Sequence, residues 1–225
     1  MKSTYAMVMA VRNGAEFIEE ALASVFSQTL PASEIYVVND NSTDRTVEII
    51  RSYGDLIHLL NLDNGGMAGA YNLAIPKVKS EFITFLDSDD LWLPNKAEKQ
   101  INCLIENTEV DVVCSSIVNF TKKNPTDLHF STSREFAPSR LFTASTFRRQ
   151  TFERFGNVDP GSGHFGWLYE WWSKADDAGI KYTMLNEVFL HRRIHGSNSW
   201  VVNRAIADKT VIDIARRNIK RRKDD

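Results

Sequence analysis

Residues Glu81–Trp92 read EFITFLDSDDLW, and their character changes abruptly at the midpoint. Phe82-Ile83-Thr84-Phe85-Leu86 is a mostly apolar, β-favouring run of the kind that forms a buried strand. It leads straight into Asp87, Asp89 and Asp90, three carboxylates that repel one another. Either a cation neutralises the cluster, or the strand simply ends at solvent and a helix N-terminus steadies ordinary loop acids. Taken alone the stretch supports both readings about equally, so its neighbours have to decide.

Outward from this stretch, apolar runs and helical patterns alternate through the first half of the chain. Tyr5–Val11 (YAMVMAV) reads as a buried strand and Ala15–Gln28 as an amphipathic helix. Glu34–Asp40 (EIYVVND) is a second strand, and Ser42 or Thr43 is placed to cap the helix that follows and stops at Gly54. IHLLNL is a third strand with the short helix GMAGAYNLAIPKV behind it, and FITFLD is the fourth, followed by the helix PNKAEKQINCLIEN. VDVVCSSIVNF makes a fifth. Strands apolar on both faces, each followed by a helix, predict an α/β sheet with mainly parallel strands, whose ligands gather at the carboxyl ends.

After Phe120 the pattern loosens. A polar, turn-rich segment reads as a loop or an extended edge, LFTASTFRR as a strand, and WLYEWWSKADDAG as a helix ending at Gly179. YTMLNEVFLHRRIH supplies one or two strands, and Asn203–Lys223 an amphipathic helix closing in the basic run ARRNIKRRK. That run reads first as a solvated helix end, with at most weak association with a membrane surface.

Composition sets the class. The chain has 225 residues, 43% of them hydrophobic and 25% charged, which suits one globular domain with a sizeable core. We expect a single unit over residues 1–225, with a ligand-binding half to about 120, a second half to about 200 and a basic helix over 201–225. A net charge of −2 gives no reason to expect nucleic acid as a partner. Cys103 and Cys114 read as two buried free thiols in a reducing compartment. With no signal pattern and no apolar run of the ~20 residues that span a bilayer, the expected location is the cytoplasm.

Polar clusters follow the other predicted strands too: Val11-Arg12-Asn13-Gly14, Asn39-Asp40-Asn41-Ser42-Thr43-Asp44 and Asn64-Gly65-Gly66. A calcium EF-hand starting at Asp87 fails, because Leu91 and Trp92 stand where an oxygen ligand and the turn glycine are needed. A dinucleotide loop in NGGMAGA fails as well, since its adjacent glycines do not give G-x-G-x-x-G. All-oxygen ligands at the end of the fourth strand suit Mg2+ or Mn2+.

Together these segments resemble the inverting family-two nucleotide-sugar glycosyltransferases, from Tyr5 to about Ser199. VVNDNSTDRT is similar to V-x-D-D-G-S-x-D-x-T, with Asn39 and Asn41 in place of the first Asp and the Gly. NGGMAGAYNLAI is similar to N-x-G-x-x-x-A-R-N-x-G, with Tyr71 for Arg and Ala74 for Gly. FLDSDDLW matches the metal-binding D-x-D segment, and RRIHGSNS the segment whose histidine completes the metal site. The resemblance implies a GT-A fold: a Rossmann-like mixed, mainly parallel sheet flanked by helices, here with a C-terminal helical extension. It implies Mn2+ or Mg2+ held by Asp89 and His195, with Asp87 beside them. It further implies donor contacts from Val11, Arg12, Asn13, Asp40, Gly66, Asn72, Asp87 and Ser88, with Asp40 on the base. Uracil, and so a UDP-sugar, is the commonest case in the family. The acceptor stays open among saccharide, lipid-linked saccharide, peptide and small molecule.

Inverting transfer also needs a general base. The family's G-x-F-D-like turn is resembled by Phe155–Pro160, yet its downstream Glu-Asp positions fall on Trp167 and Leu168. Glu170, on nearly the same helical face, is the favoured substitute, with Asp159 and His164 as alternatives. Of Trp167, Trp171 and Trp172, at least one should sit in the core and one toward the acceptor cleft. The displaced acid keeps a non-catalytic sugar-nucleotide-binding protein in view. A sugar-phosphate nucleotidyltransferase fits less well, since AVRNGAEF lacks a glycine-rich basic loop.

Overall fold

The computed structural model describes residues 4–124, 127–130, 137–196, 198, 209–210, 212–214, 216 and 217, with side chains at all of these except 122–138 and 162–165. Ten strands form one sheet: β1 (Tyr5–Val11), β2 (Glu34–Asp40), β3 (His58–Leu62), β4 (Phe82–Phe85), β5 (Leu91–Trp92), β6 (Val112–Asn124), β7 (Asp127–Phe130), β8 (Ala137–Ser139), β9 (Thr146–Arg148) and β10 (Tyr182–Arg193). The helices are α1 (Ile18–Phe26), α2 (Thr46–Arg51), α3 (Gly66–Ala74), α4 (Lys96–Glu106), α5 (Gln150–Phe155) and α6 (Gly163–Asp177).

The strand order is β3-β2-β1-β4-β9-β6-β10-β5, with β7 and β8 paired onto β6. β1, β2, β3 and β4 run parallel, as do β6 and β10, while β9 is antiparallel to both β4 and β6. The sheet is therefore mixed and mainly parallel, as expected. All of the parallel strands deliver their carboxyl ends to one edge.

The apolar runs are near-continuous because both faces are covered. Along β1, Ala6 and Val8 pack with Tyr36, Val38, Phe85, Tyr71 and the tryptophans of α6. Tyr5, Met7 and Met9 point the other way, onto Ile18, Leu22 and Val25 of α1 and Ala97, Ile101 and Leu104 of α4. Lys96, in the first turn of α4, is fully buried in this second layer. Its Nζ donates to Thr84 Oγ1 at 2.7 Å and Gln100 Oε1 at 2.9 Å and lies 4.4 Å from the Trp92 ring centre. Burial holds the amine's pKa well below the usual lysine range.

Several local expectations are adjusted. LFTASTFRR splits into a 3-10 turn at Phe142–Ala144 and the three-residue β9. The polar stretch after Phe120 contributes extended edge strands, β7 and β8. Ser42 and Thr43 do not cap α2; they bind the β1 loop instead, and Asp44 accepts from the Thr46 amide. Cys114 is buried, but Cys103 is partly exposed, and both are free thiols. Residues 209–210, 212–214 and 216–217 are helical; the rest of the C-terminal helix expected over Asn203–Lys223, including Asn218–Lys223 of its basic run, lies outside the described residues. No helix among the described residues is long and apolar enough to cross a membrane.

Candidate active site

The first three strand ends are interlocked through left-handed asparagines. Asn13, Asn41 and Asn64 have φ of 52°, 55° and 53°, a region in which asparagine is among the few tolerated side chains. Asn13 donates its amide N–H to Ser42 Oγ and accepts from the Thr43 N–H at 2.8 Å. Gly14 donates to Thr46 Oγ1 at 2.8 Å, and a Cβ there would lie 2.6 Å from Val11 Cγ2 and 3.1 Å from Ser88 Oγ. Glycine thus lets the β1 loop press against the acid loop. Asn41, standing where the resemblance has glycine, keeps the left-handed turn and donates to Asp63.

Asp40 is 5% exposed, and its two oxygens accept the Gly65 and Gly66 amides, each at 2.9 Å. This carboxylate positions the glycine turn, and a base would reach it only through its remaining lone pairs. Val11 is buried at the end of β1, whereas Arg12 and Asn13 are exposed.

At the end of β4 the ligand oxygens of Asp87, Asp89 and Asp90 lie within 4.8 Å of one another. Their environments differ. Asp90 is 2% exposed and accepts the Arg193 backbone N–H at 2.8 Å, which ties the acid loop to β10. Burial, then the charges of Asp87 and Asp89, push its carboxyl well above the usual range. Burial, and after it the Asp89 charge, raise Asp87 to about 7, with Arg192 working against the shift. Asp87 Oδ1 is enclosed without a hydrogen-bond partner among the described residues. Tyr71 Oη, in place of the family arginine, is likewise buried and unpartnered, so the phenol brings no positive charge to the cluster.

Asp89 meets the chain's other metal candidate. His195 Nε2 is 2.9 Å from Asp89 Oδ2, with side-chain exposures of 19% and 26%. Asn198 Nδ2 is 3.1 Å from the same carboxylate oxygen and 3.0 Å from the same ring nitrogen, while its Oδ1 accepts the His195 N–H at 2.6 Å. The Phe17 ring covers the imidazole at 4.6 Å between centres. For bonds of about 2.1 Å, adjacent ligands of an octahedral cation sit about 3 Å apart, so the Asp89–His195 pair fits one ion. The enclosed Asp87 oxygen and the raised carboxyl pKa values point the same way: the cluster is poorly compensated by protein groups alone.

The acceptor side departs further from expectation. Asn72, expected among the donor contacts, donates its Nδ2 to Val158 O at 2.7 Å and accepts the Val158 N–H on its Oδ1 at 3.0 Å, so the amide pins the Phe155–Pro160 turn. The tryptophans are corrected too. Trp167, Trp171 and Trp172 are 7%, 3% and 6% exposed and all belong to the core, because the indole N–H groups of Trp171 and Trp172 find carbonyls at Gly156 and Arg140. Glu170 lies 3.5 Å from Lys174 and 3.8 Å from Arg217. Asp159 is 3.7 Å from Lys174 and accepts from Gly161. The side chain of His164 lies outside the described residues. Packing of Trp167 on Tyr71, and of Tyr71 on Phe85, sets α6 on the sheet beside the acid loop.

Three further contributors escaped the sequence reading. Asn198 follows His195 by three residues, a spacing that allows its back-bond, but Arg193 cannot be told from Arg192 without the bulges of β10 near Leu185–Leu190. Asp90 looked interchangeable with its neighbours until its burial was known.

The model of the family Glycosyl transferase family 2 matches residues 7–170. An uncharacterized glycosyltransferase of Rickettsia typhi is 44% identical over 110 residues, covering 48% of this chain and 35% of its own length. The chain thus spans about a third of that relative. S. aureus TarS (residues 1–349, in complex with UDP-GlcNAc) superposes with a TM-score of 0.68 at 17% identity, over 87% of this chain and 60% of that one. The mannosyltransferase PcManGT from Pyrobaculum calidifontis, in complex with GDP-Man and Mn2+, gives 0.72 at 20% identity, over 96% and 65%. The fold is GT-A.

Proposed function

Because this chain belongs to glycosyl transferase family 2, we propose that it moves a sugar, with inversion, from a nucleotide-linked donor of the UDP type to an acceptor hydroxyl. The 2.9 Å approach of His195 Nε2 to Asp89 Oδ2, beside Asp87 on the carboxyl edge of the sheet, is the observation that carries this reading. Asp89 and His195, with Asp87, would hold Mn2+ or Mg2+, which when bound supplies Lewis-acid stabilisation to the diphosphate leaving group.

The remaining work belongs to the chain. The interlocked β1, β2 and β3 loops form a fixed cradle for the nucleoside, with Asp40 holding Gly65 and Gly66 where backbone can approach it closely. Ser88 and Gly14 close the gap between this cradle and the acid loop. The acceptor oxygen attacks the anomeric carbon as the bond to the β-phosphate oxygen breaks, and Glu170 takes the acceptor proton.

Calorimetry and turnover with UDP- and GDP-sugars, with and without Mn2+, test the proposal. We expect Mn2+-dependent UDP-sugar binding that Asp89→Asn and His195→Ala abolish, and turnover that Glu170→Gln lowers by about 100-fold or more. Tight donor binding without turnover under any acceptor would favour a binding protein. Full activity of Glu170→Gln would remove Glu170 as the base.

A further inference from the structure

Arg193 is a buried cation placed against an acid cluster, yet its charge is directed away from the carboxylates. It is 2% exposed. Its Nε donates 2.8 Å to the backbone carbonyl of Asp89, and its Nη2 lies 2.7 Å from Glu20 Oε2 on α1. The guanidinium carbon sits 4.9 Å from the Phe17 ring centre and 4.7 Å from that of Phe120. Its own backbone N–H binds Asp90 at 2.8 Å, and its carbonyl accepts from Asn198 at 3.2 Å. Apart from the Nη2–Glu20 pair, the described hydrogen bonds of this residue therefore grip segments that carry or flank a metal ligand.

We propose that Arg193, braced by Glu20, is a positioning residue: it sets the Asp89 turn and the Ile194–Asn198 segment at the mutual distance that the divalent ion requires. This rests on the metal reading above. A planar fork packed against two aromatic rings and hydrogen-bonded at both Nε and Nη2 has few alternative orientations, so the carbonyl of Asp89 is held in one place. Glu20 fixes the other end of the fork, and through α1 it links the metal ligands to the Arg12–Gly14 loop. Phe17 serves twice, covering both Arg193 and His195.

Charge and geometry predict opposite outcomes, which makes the inference testable. If Arg193 acted only through its charge, removing it would relieve repulsion and tighten cation binding. If it positions ligands, removal should weaken binding by about 10–100-fold, the usual cost of losing a residue behind a metal ligand. Free Mn2+ is titrated by electron paramagnetic resonance against wild type, Arg193→Gln, Arg193→Lys and Glu20→Gln, with folding checked by circular dichroism. We expect weaker Mn2+ binding in Arg193→Gln and in Arg193→Lys, which keeps the charge but not the fork, and a smaller loss in Glu20→Gln. Should Arg193→Gln fail to fold, the other two variants decide. Folded variants that bind Mn2+ as tightly as wild type, or more tightly, would overturn the inference. A wild type that binds no Mn2+ would instead overturn the metal reading itself.

Discussion

At the scale of single residues, three asparagines carry the geometry of the interlocked strand-end loops. Asn41 occupies a left-handed turn at φ 55°, where a β-branched side chain is disfavoured by about 1–2 kcal/mol and glycine is comfortable. Asn41→Gly should therefore leave stability within about half a kcal/mol of wild type, whereas Asn41→Val should cost about 1–2 kcal/mol in urea melts. Equal losses in the two variants would mean that the Asp63 hydrogen bond, and not the backbone, is what matters here. The same residues explain why the site was partly readable from sequence. Glycine and asparagine at strand ends announce positive φ, while an Asp pair after a strand leaves a cation site and a solvated strand end about equally open. A buried arginine announces nothing, because Arg192 and Arg193 are chemically identical and only the strand bulges decide which one turns inward.

Secondary elements show the same division. The strands of the first half were readable because both faces are covered and the runs are apolar throughout. α6 was misjudged, since three indoles within six positions of one helix suggested a split between core and cleft. All three pack inward against Phe142, Phe147 and Phe152. Trp171→Ala should accordingly lose about 3–5 kcal/mol of stability, read by thermal melting. Reduced acceptor affinity with an unchanged Tm would restore the cleft reading. α4 carries a different surprise in Lys96. Its folded pKa lies below the unfolded one, so the unfolded chain binds the extra proton and wild-type stability climbs with pH toward the ordinary lysine range. Lys96→Met, in which Thr84 and Gln100 keep other partners, should be equal to or about 1–2 kcal/mol more stable than wild type at pH 7. That lead should shrink by pH 9.5. A lead that widens would mean the amine stays charged in the fold.

At the scale of the whole molecule, the acid loop makes stability depend on pH and on metal together. Asp87 has a folded pKa raised to about 7, so its contribution is fully present below the usual carboxylate range and is lost as pH rises through about 7. Compared with Asp87→Asn, in which Lys96 adds the same opposing rise, the metal-free protein should therefore lose stability from pH 5.5 to pH 8. Mn2+ should raise Tm more at pH 8, where protons no longer compete for the ligands. Asp89→Asn should flatten the first trend and remove the second; a metal-independent profile in wild type would refute this account. The sheet also has a consequence for how the protein is made. β10 is the last of the described strands but lies between β6 and β5, and Arg193 meets Asp90 across 103 positions of sequence. A ribosome releases the first three strand-end loops long before it releases the strand that closes the sheet. Until residues 182–198 emerge, β5 has no neighbour and Asp89 has no histidine. The nascent chain thus carries three strand-end loops but cannot pair Asp89 with His195, so that contact arrives in one late event and not by degrees.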